Sequence, residues 1–173
     1  MAKQILDQML VTANYSGTVN TASAGIYAVV GAPLETNAQL AMTELGYQPR
    51  GHAAKQLEAH DVARADLVLT STEIQRSGVV DLHIPANKYT FTLKEFANLV
   101  TFLADAPEET GDFLPQMPNE LDARLKETLK WRGTAPLLTY LDIEDPYLQT
   151  QESFDLVAVQ TEVALKQVVN WLP

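Results

Sequence analysis

The stretch DIEDPY, residues 142–147, holds three carboxylic acids beside a proline and a tyrosine, just ahead of a long helical pattern. Asp145 stands directly before Pro146, which restricts the backbone, so its side chain has the character of a presented acid. Asp-Pro-Tyr alone is also a common turn sequence. A metal site built from Asp142, Glu144 and Asp145 is disfavoured, because no histidine or second acidic cluster lies nearby at a known ligand spacing.

The composition excludes several kinds of chemistry. The chain as given has no cysteine, which excludes disulfides, thiolate metal sites and cysteine nucleophiles within these residues. A net charge of -10 disfavours nucleic acids and anionic membranes as partners, because both require Lys and Arg. No apolar run reaches the roughly 20 residues of a membrane helix, and the first residues lack a signal-peptide pattern. We therefore expect a cytoplasmic protein with no nucleic-acid or membrane partner.

Hydrophobic periodicity predicts short strands that alternate with helices in a single domain, residues 1–173. Such alternation is typical of an α/β domain with a mainly parallel sheet, in which ligands bind beyond the C-terminal ends of the strands. Thr92 and Glu95 have the spacing of a helix capping box. The predicted strands are 18–23, 67–69 and 89–91. The predicted helices are 2–13, 34–45, 61–65, 72–82, 92–103, 119–131 and 154–172. Gly46 is placed to cap the C-terminus of helix 34–45, and the pattern of helix 72–82 predicts that Ile74, Gly78 and Val79 or Leu82 face inward.

Residues 104–123 differ in composition from the rest of the chain. They contain six acids, no bases and three of the nine prolines. This composition is typical of a solvated segment between packed elements. We therefore predict an acidic, proline-containing insertion in the domain, and the sequence does not determine whether it serves as a docking segment.

Five stretches, in the same order and spanning nearly the whole chain, resemble the low-molecular-weight protein tyrosine phosphatases, especially their actinobacterial-like members. The stretches are SAGIYAVVGAP (23–33), AMTELGYQPRGHAAKQL (41–57), ARADLVLTST (63–72), TFTLKEFANLV (90–100) and DIEDPY (142–147). Lys55 stands where the family's His-x-Ala-Arg-Gln pattern usually has Arg. The resemblance implies a flavodoxin-like parallel sheet with helices on both faces.

The resemblance also implies roles for four residues. In this family a cysteine thiolate attacks phosphorus, backbone N–H groups and an Arg hold the phosphate, and a carboxylic acid protonates the leaving oxygen. Asp145 matches that acid, and Tyr147 would wall the entrance and stack on an aromatic substrate. Ser23 and His52 match positions that support the phosphate loop. The implied substrate is a phosphotyrosine protein or a small aryl phosphate, and no metal or organic cofactor is implied.

The family's nucleophilic segment has no counterpart in this sequence. The family opens with an apolar strand and Cys-x5-Arg-Ser-Pro, and Met1 aligns directly after that Ser-Pro. The first, central strand, the cysteine and the Arg are therefore missing, and we expect the chain as given to be inactive. Without the central strand, we expect unpaired strand edges near residues 18–23 and 67–70, which invite self-association.

Three accounts of the missing segment follow. The chain can be a truncated form of an active phosphatase, and the retained Ser23, His52 and Asp145 favour this account. It can be a pseudophosphatase that binds a phosphorylated ligand without turnover. It can also be an interaction protein whose open sheet accepts a strand from a partner.

Overall fold

The computed structural model describes residues 1–105, 117–136 and 138–173, and these residues form an α/β fold around a parallel sheet, as predicted. The strands are β1 (Val68–Thr70) and β2 (Thr90–Thr92), and a 3-10 helix, Ile84–Lys88, precedes β2. No helix among the described residues has both the length and the apolar character that crossing a bilayer requires. The helices are α1 (Ala2–Thr12), α2 (Thr36–Glu44), α3 (Ala59–Ala63), α4 (Glu73–Leu82), α5 (Leu93–Ala104), α6 (Leu121–Lys130) and α7 (Gln151–Trp171).

One edge of β1 is paired and the other is open. Val68 lies opposite Thr90 in the parallel register. The Val68 N–H donates to the Tyr89 carbonyl at 2.9 Å, so the backbone polar groups of Val68 point towards β2. Because these groups alternate in direction along a strand, those of Leu67 and Leu69 point away from β2. No described residue gives them a backbone hydrogen bond, so this edge of β1 is open within the described part of the chain.

Helices cover both faces of the sheet. Leu67 and Leu69 pack against the main core, which α1, α5 and α7 help to form. Val68 packs against a smaller cluster on the opposite face, because successive side chains of a strand point to opposite sides. The buried members of the smaller cluster, from α3, α4 and the 3-10 helix, are Val62, Val79 and Ala86.

The start of α5 and its packing against α7 connect the sheet to the main core. Thr92 Oγ1 accepts from the Glu95 N–H at 3.1 Å, and the Glu95 carboxylate accepts from the Thr92 N–H at 3.3 Å. The predicted capping box is therefore confirmed. Phe96 is fully buried and makes edge-to-face contacts with Phe91 at 5.4 Å and with Trp171 at 5.5 Å between ring centroids.

Tyr47 ties the segment that follows α2 to α7. Its hydroxyl donates to the Glu162 carboxylate at 2.9 Å, and Lys166 pairs with the same carboxylate at 2.8 Å. The hydrogen bond from Lys166 contributes most to holding the pKa of Glu162 below its ordinary value. Burial and the bond to Glu162 raise the pKa of Tyr47 to about 12. At neutral pH, Tyr47 is therefore a neutral donor to a charged acceptor.

Two predictions made from periodicity are wrong. Residues 18–23 form no strand: among the described residues they make one isolated bridge, between Val19 and Ser16, and a strand needs a neighbour that continues the ladder. Ile74, expected to face inward on α4, is 83% exposed, whereas Val79 is buried. Their spacing places them on different sides of a helix with about 3.6 residues per turn.

The predicted insertion, residues 104–123, lies largely outside the described residues. Residues 106–116 belong to the part that is not described. At its two ends, Ala104 closes α5 and Leu121 opens α6. The prediction of an insertion therefore stays a prediction.

Candidate functional site

The loop 142–147 is anchored where β1 ends and α4 begins. The Ile143 N–H donates to the Ser71 carbonyl at 2.8 Å, on the side of β1 that faces away from β2, and the Ile143 side chain is buried in the main core. The Asp142 carboxylate accepts from the Glu73 N–H, the first amide of α4, at 2.8 Å. This bond places negative charge at the positive end of the helix dipole. The loop therefore lies at the C-terminal end of a parallel strand, where α/β sheets bind ligands.

The same anchoring presents Asp145 to solvent. Lys94 Nζ donates to the Asp142 carbonyl at 2.8 Å and fixes the base of the loop. Asp145 is exposed, and its Oδ1 accepts from the Tyr147 N–H at 3.0 Å in a turn closed by its own side chain. Gln149 Nε2 donates to the Asp145 carbonyl at 3.2 Å. No described residue donates to Oδ2, and Tyr147 is 63% exposed, so an acid and an aromatic ring are both accessible.

Ser23 and His52 flank two segments that pair with each other. The Gly25 N–H donates to the Lys55 carbonyl at 2.9 Å, which links the start of one segment to the end of the other. Ser23 is exposed and His52 is partly exposed, and neither side chain hydrogen-bonds to another described residue. The described contacts do not join either residue to Asp145.

The accessible Asp145 carboxylic acid can transfer a proton, but the chain lacks the thiolate that would accept a phosphoryl group. An exposed carboxylic acid on a fixed loop can donate or accept a proton. The 173 residues contain no cysteine that could act as a thiolate nucleophile. Among the described residues, no group of three or more His, Asp or Glu side chains is placed to hold a metal ion.

Sequence reasoning missed the residues that anchor the loop. Ser71 and Lys94 contact residues 142–143, although helices separate them from that loop in the sequence. A lysine in the first turn of a helix and a serine after a strand carry no motif of their own. Their positions relative to Asp142 follow from the packing of α4 and α5 beside the sheet, so no local signal could have identified them.

A family model described as low molecular weight phosphotyrosine protein phosphatase matches residues 1–108, more than half of the 173-residue chain. No curated protein sequence matches the chain. The family match ends before the loop 142–147, so the role of that loop depends on its position in the fold.

Solved structures match almost the whole chain. A tyrosine phosphatase from Erwinia amylovora is 20% identical in sequence and has a TM-score of 0.67. The match includes 99% of this chain and 82% of the Erwinia chain. The tyrosine phosphatase Wzb from Escherichia coli K30 is 16% identical over 98% of this chain and 85% of its own, with a TM-score of 0.67. The YwlE arginine phosphatase from Geobacillus stearothermophilus is 19% identical over 98% of this chain and 83% of its own, with a TM-score of 0.64. At these identities the likeness confirms the predicted fold.

Proposed function

The chain belongs to the low molecular weight phosphotyrosine protein phosphatase family, and from this we propose that residues 142–147 are the general-acid loop of a phosphotyrosine phosphatase domain. The observation that carries the proposal is the anchoring of Asp142 and Ile143, which leaves Asp145 exposed at the C-terminal end of β1. Asp145 would protonate the leaving oxygen, and Tyr147 would stack on the aromatic group of the substrate. Ser23 and His52 would hold the phosphate loop in shape.

The nucleophile in this proposal comes from a strand that pairs at the open edge of β1. The backbone groups of Leu67 and Leu69 are available there, next to the Ser71 carbonyl that anchors the acid loop. A strand carrying Cys-x5-Arg at this edge would place its thiolate beside Asp145. The S–P bond would form as the P–O bond breaks, and the proton of Asp145 would go to the departing oxygen. Hydrolysis of the phosphocysteine by water would then restore the thiolate.

We propose that the 173 residues by themselves catalyse no phosphate release. With no cysteine, they cannot form a phosphocysteine. We expect the purified chain to release no phosphate from p-nitrophenyl phosphate or from a phosphotyrosine peptide, measured as free phosphate. A phosphoarginine peptide belongs in the same assay, because one structural neighbour is an arginine phosphatase. Turnover that disappears in the Asp145→Asn variant would contradict the proposal, since it would require a nucleophile other than cysteine.

A second candidate function is non-catalytic and rests on the same open edge. An edge with unpaired N–H and C=O groups is a template for an added strand. The partner we consider is a second copy of the chain, because the segment 26–30 is apolar and exposes Tyr27 (96%), Val29 (73%) and Val30 (71%). In this account, one copy would lay this segment along β1 of the other.

Amide hydrogen exchange tests strand addition directly. We expect the Leu67 and Leu69 amides to exchange quickly in dilute solution and to become protected as the protein concentration rises. The Val68 amide, which already donates to Tyr89, provides an internal control and should be protected throughout. Protection of Leu69 that does not change with concentration would exclude self-association through this edge.

A further inference from the structure

A second candidate site lies away from the acid loop. A surface cavity of about 640 Å³ lies between α4, the 3-10 helix and the C-terminal half of α6. None of residues 142–147 lines it. Five of the chain's 12 Lys and Arg residues line this cavity, although the net charge is -10. No carboxylate is among its described lining residues. The five basic residues are Arg76, Lys88, Lys126, Lys130 and Arg132.

The two arginines form the fixed part of this basic cavity. Arg132 donates to the carbonyls of Asn87 and Thr90, the latter at 2.8 Å. Its guanidinium also lies 4.1 Å above the centre of the buried Phe91 ring. Both arginines pair with Glu95, Arg76 at 3.1 Å and Arg132 at 3.3 Å. Arg76 also lies 3.9 Å from the Glu73 carboxylate, so two carboxylates face the two arginines. Both guanidinium groups stay charged, and each has N–H donors beyond those used in these pairs.

The three lysines form the adjustable part. Lys126 pairs with Asp122 at 3.0 Å and Lys130 pairs with Glu127 at 2.7 Å, and both ammonium groups belong to side chains about 70% exposed (73% and 68%). The Lys126–Asp122 pair is exposed at both partners and contributes little to stability, so a ligand can displace it at small cost. Glu127 is 25% exposed and also accepts from the Trp131 indole N–H at 3.4 Å, a bond that remains when Lys130 turns away. Lys88 has no ion pair with a described residue. Three ammonium groups can therefore turn towards an anion in the cavity.

The lining indicates what kind of anion fits. The cationic side chains come from α4, the 3-10 helix and the α6 region and do not converge on one position. This arrangement fits an anion with several charges in a row better than it fits a single phosphate. Leu129 is the one apolar side chain among the described lining residues, and no aromatic ring is available there to stack on a base. We propose that this cavity binds a chain of linked phosphates, recognised by charge and not by an attached organic group.

Part of the cavity lies outside the residues that the family model matches. Lys126, Lys130 and Arg132 lie beyond residues 1–108, the part that the family model matches. Arg76 and Lys88 lie inside that part. The cavity therefore forms where α6 packs beside the matched domain, and it does not depend on Asp145 or on a cysteine.

Calorimetric titration of the 173-residue chain with inorganic tripolyphosphate tests the proposal. We expect binding at low ionic strength that weakens steeply with added salt, because phosphate contacts release counterions. ATP and AMP distinguish the source of the phosphates. ATP should bind about as well as tripolyphosphate and AMP much more weakly. Failure of tripolyphosphate to bind at low salt, or equal binding of AMP and ATP, would overturn the proposal.

A matched pair of variants locates the site. The triple variant Lys88→Gln, Lys126→Gln and Lys130→Gln should bind tripolyphosphate about 30-fold or more weakly, since charge-assisted hydrogen bonds are lost. The control triple variant, Lys3→Gln, Lys55→Gln and Lys166→Gln, has the same change in net charge. Each of these lysines pairs with a carboxylate away from the cavity. The control variant should bind within about twofold of the unmodified chain. Equal weakening in both variants would show a general charge effect and overturn the assigned site.

Discussion

Replacing Asp145 by Asn is expected to lower kcat for phenyl phosphate about 10²- to 10⁴-fold, the usual contribution of a general acid. The measurement requires a version of the domain in which a strand and a Cys-x5-Arg segment precede Met1, since the 173 residues contain no cysteine. Asn keeps the size and the hydrogen bond from the Tyr147 N–H but cannot donate a proton. The loss should therefore appear in kcat and leave the fold unchanged.

The dependence on leaving group separates proton donation from a structural role. A poor leaving group such as phenoxide needs the proton, whereas 2,4-dinitrophenoxide departs without it. Asp145→Asn should therefore slow 2,4-dinitrophenyl phosphate far less than phenyl phosphate. Glu144→Gln is the matched control, because Glu144 is the neighbouring exposed acid and should affect neither substrate. Equal losses for both substrates in Asp145→Asn would contradict the assignment of the acid.

Replacing Phe96 by Ala is expected to lower the free energy of unfolding by about 3–5 kcal/mol, the usual cost of removing a buried aromatic ring. The ring is fully buried and touches Phe91 from β2 and Trp171 from α7, so its loss opens a cavity where three elements meet. Domains of this size are stable by only about 5–15 kcal/mol, so the variant should lie close to unfolding. Urea unfolding followed by circular dichroism measures the change.

Phe102→Ala is the matched control for this measurement, because it makes the same substitution on the same helix. Phe102 is partly exposed and packs at the margin of the main core. Its loss removes less buried surface and leaves a site that solvent can enter, so we expect a clearly smaller decrease in stability. Equal effects of the two substitutions would mean that the core is not centred on Phe96.

Local signals in the sequence predicted the helices and the paired strands well. The capping box of Thr92 and Glu95 needs only residues within one turn, and both of its hydrogen bonds form. Gly46, expected to close α2, has a positive φ of 85°, a conformation that glycine adopts without strain. The prediction of a strand at 18–23 was wrong, because a strand forms only beside a neighbouring strand. The residues of the segment itself do not indicate whether such a neighbour is present.

The candidate site shows the same division. The chemical character of Asp145 and Tyr147 is visible in DIEDPY, and the order of five motifs indicates the family. Their presentation depends on Ser71, Glu73 and Lys94, which are distant in sequence and have no motif. The roles of Asp145, Tyr147, Ser23 and His52 stay predictions, and the Asp145→Asn variant tests the first of them.

By itself, the sequence determined the α/β class, the family and the absence of a cysteine nucleophile from these residues, because each follows from residue type, order and local spacing. Tertiary structure alone decided that the loop 142–147 lies beside an edge of β1 that is open within the described part of the chain, since both depend on which backbone groups find partners. It also decided that five cations from α4, the 3-10 helix and the α6 region share one cavity. Charges that are dispersed along a chain become a site only when packing brings them within a few ångströms of a common space.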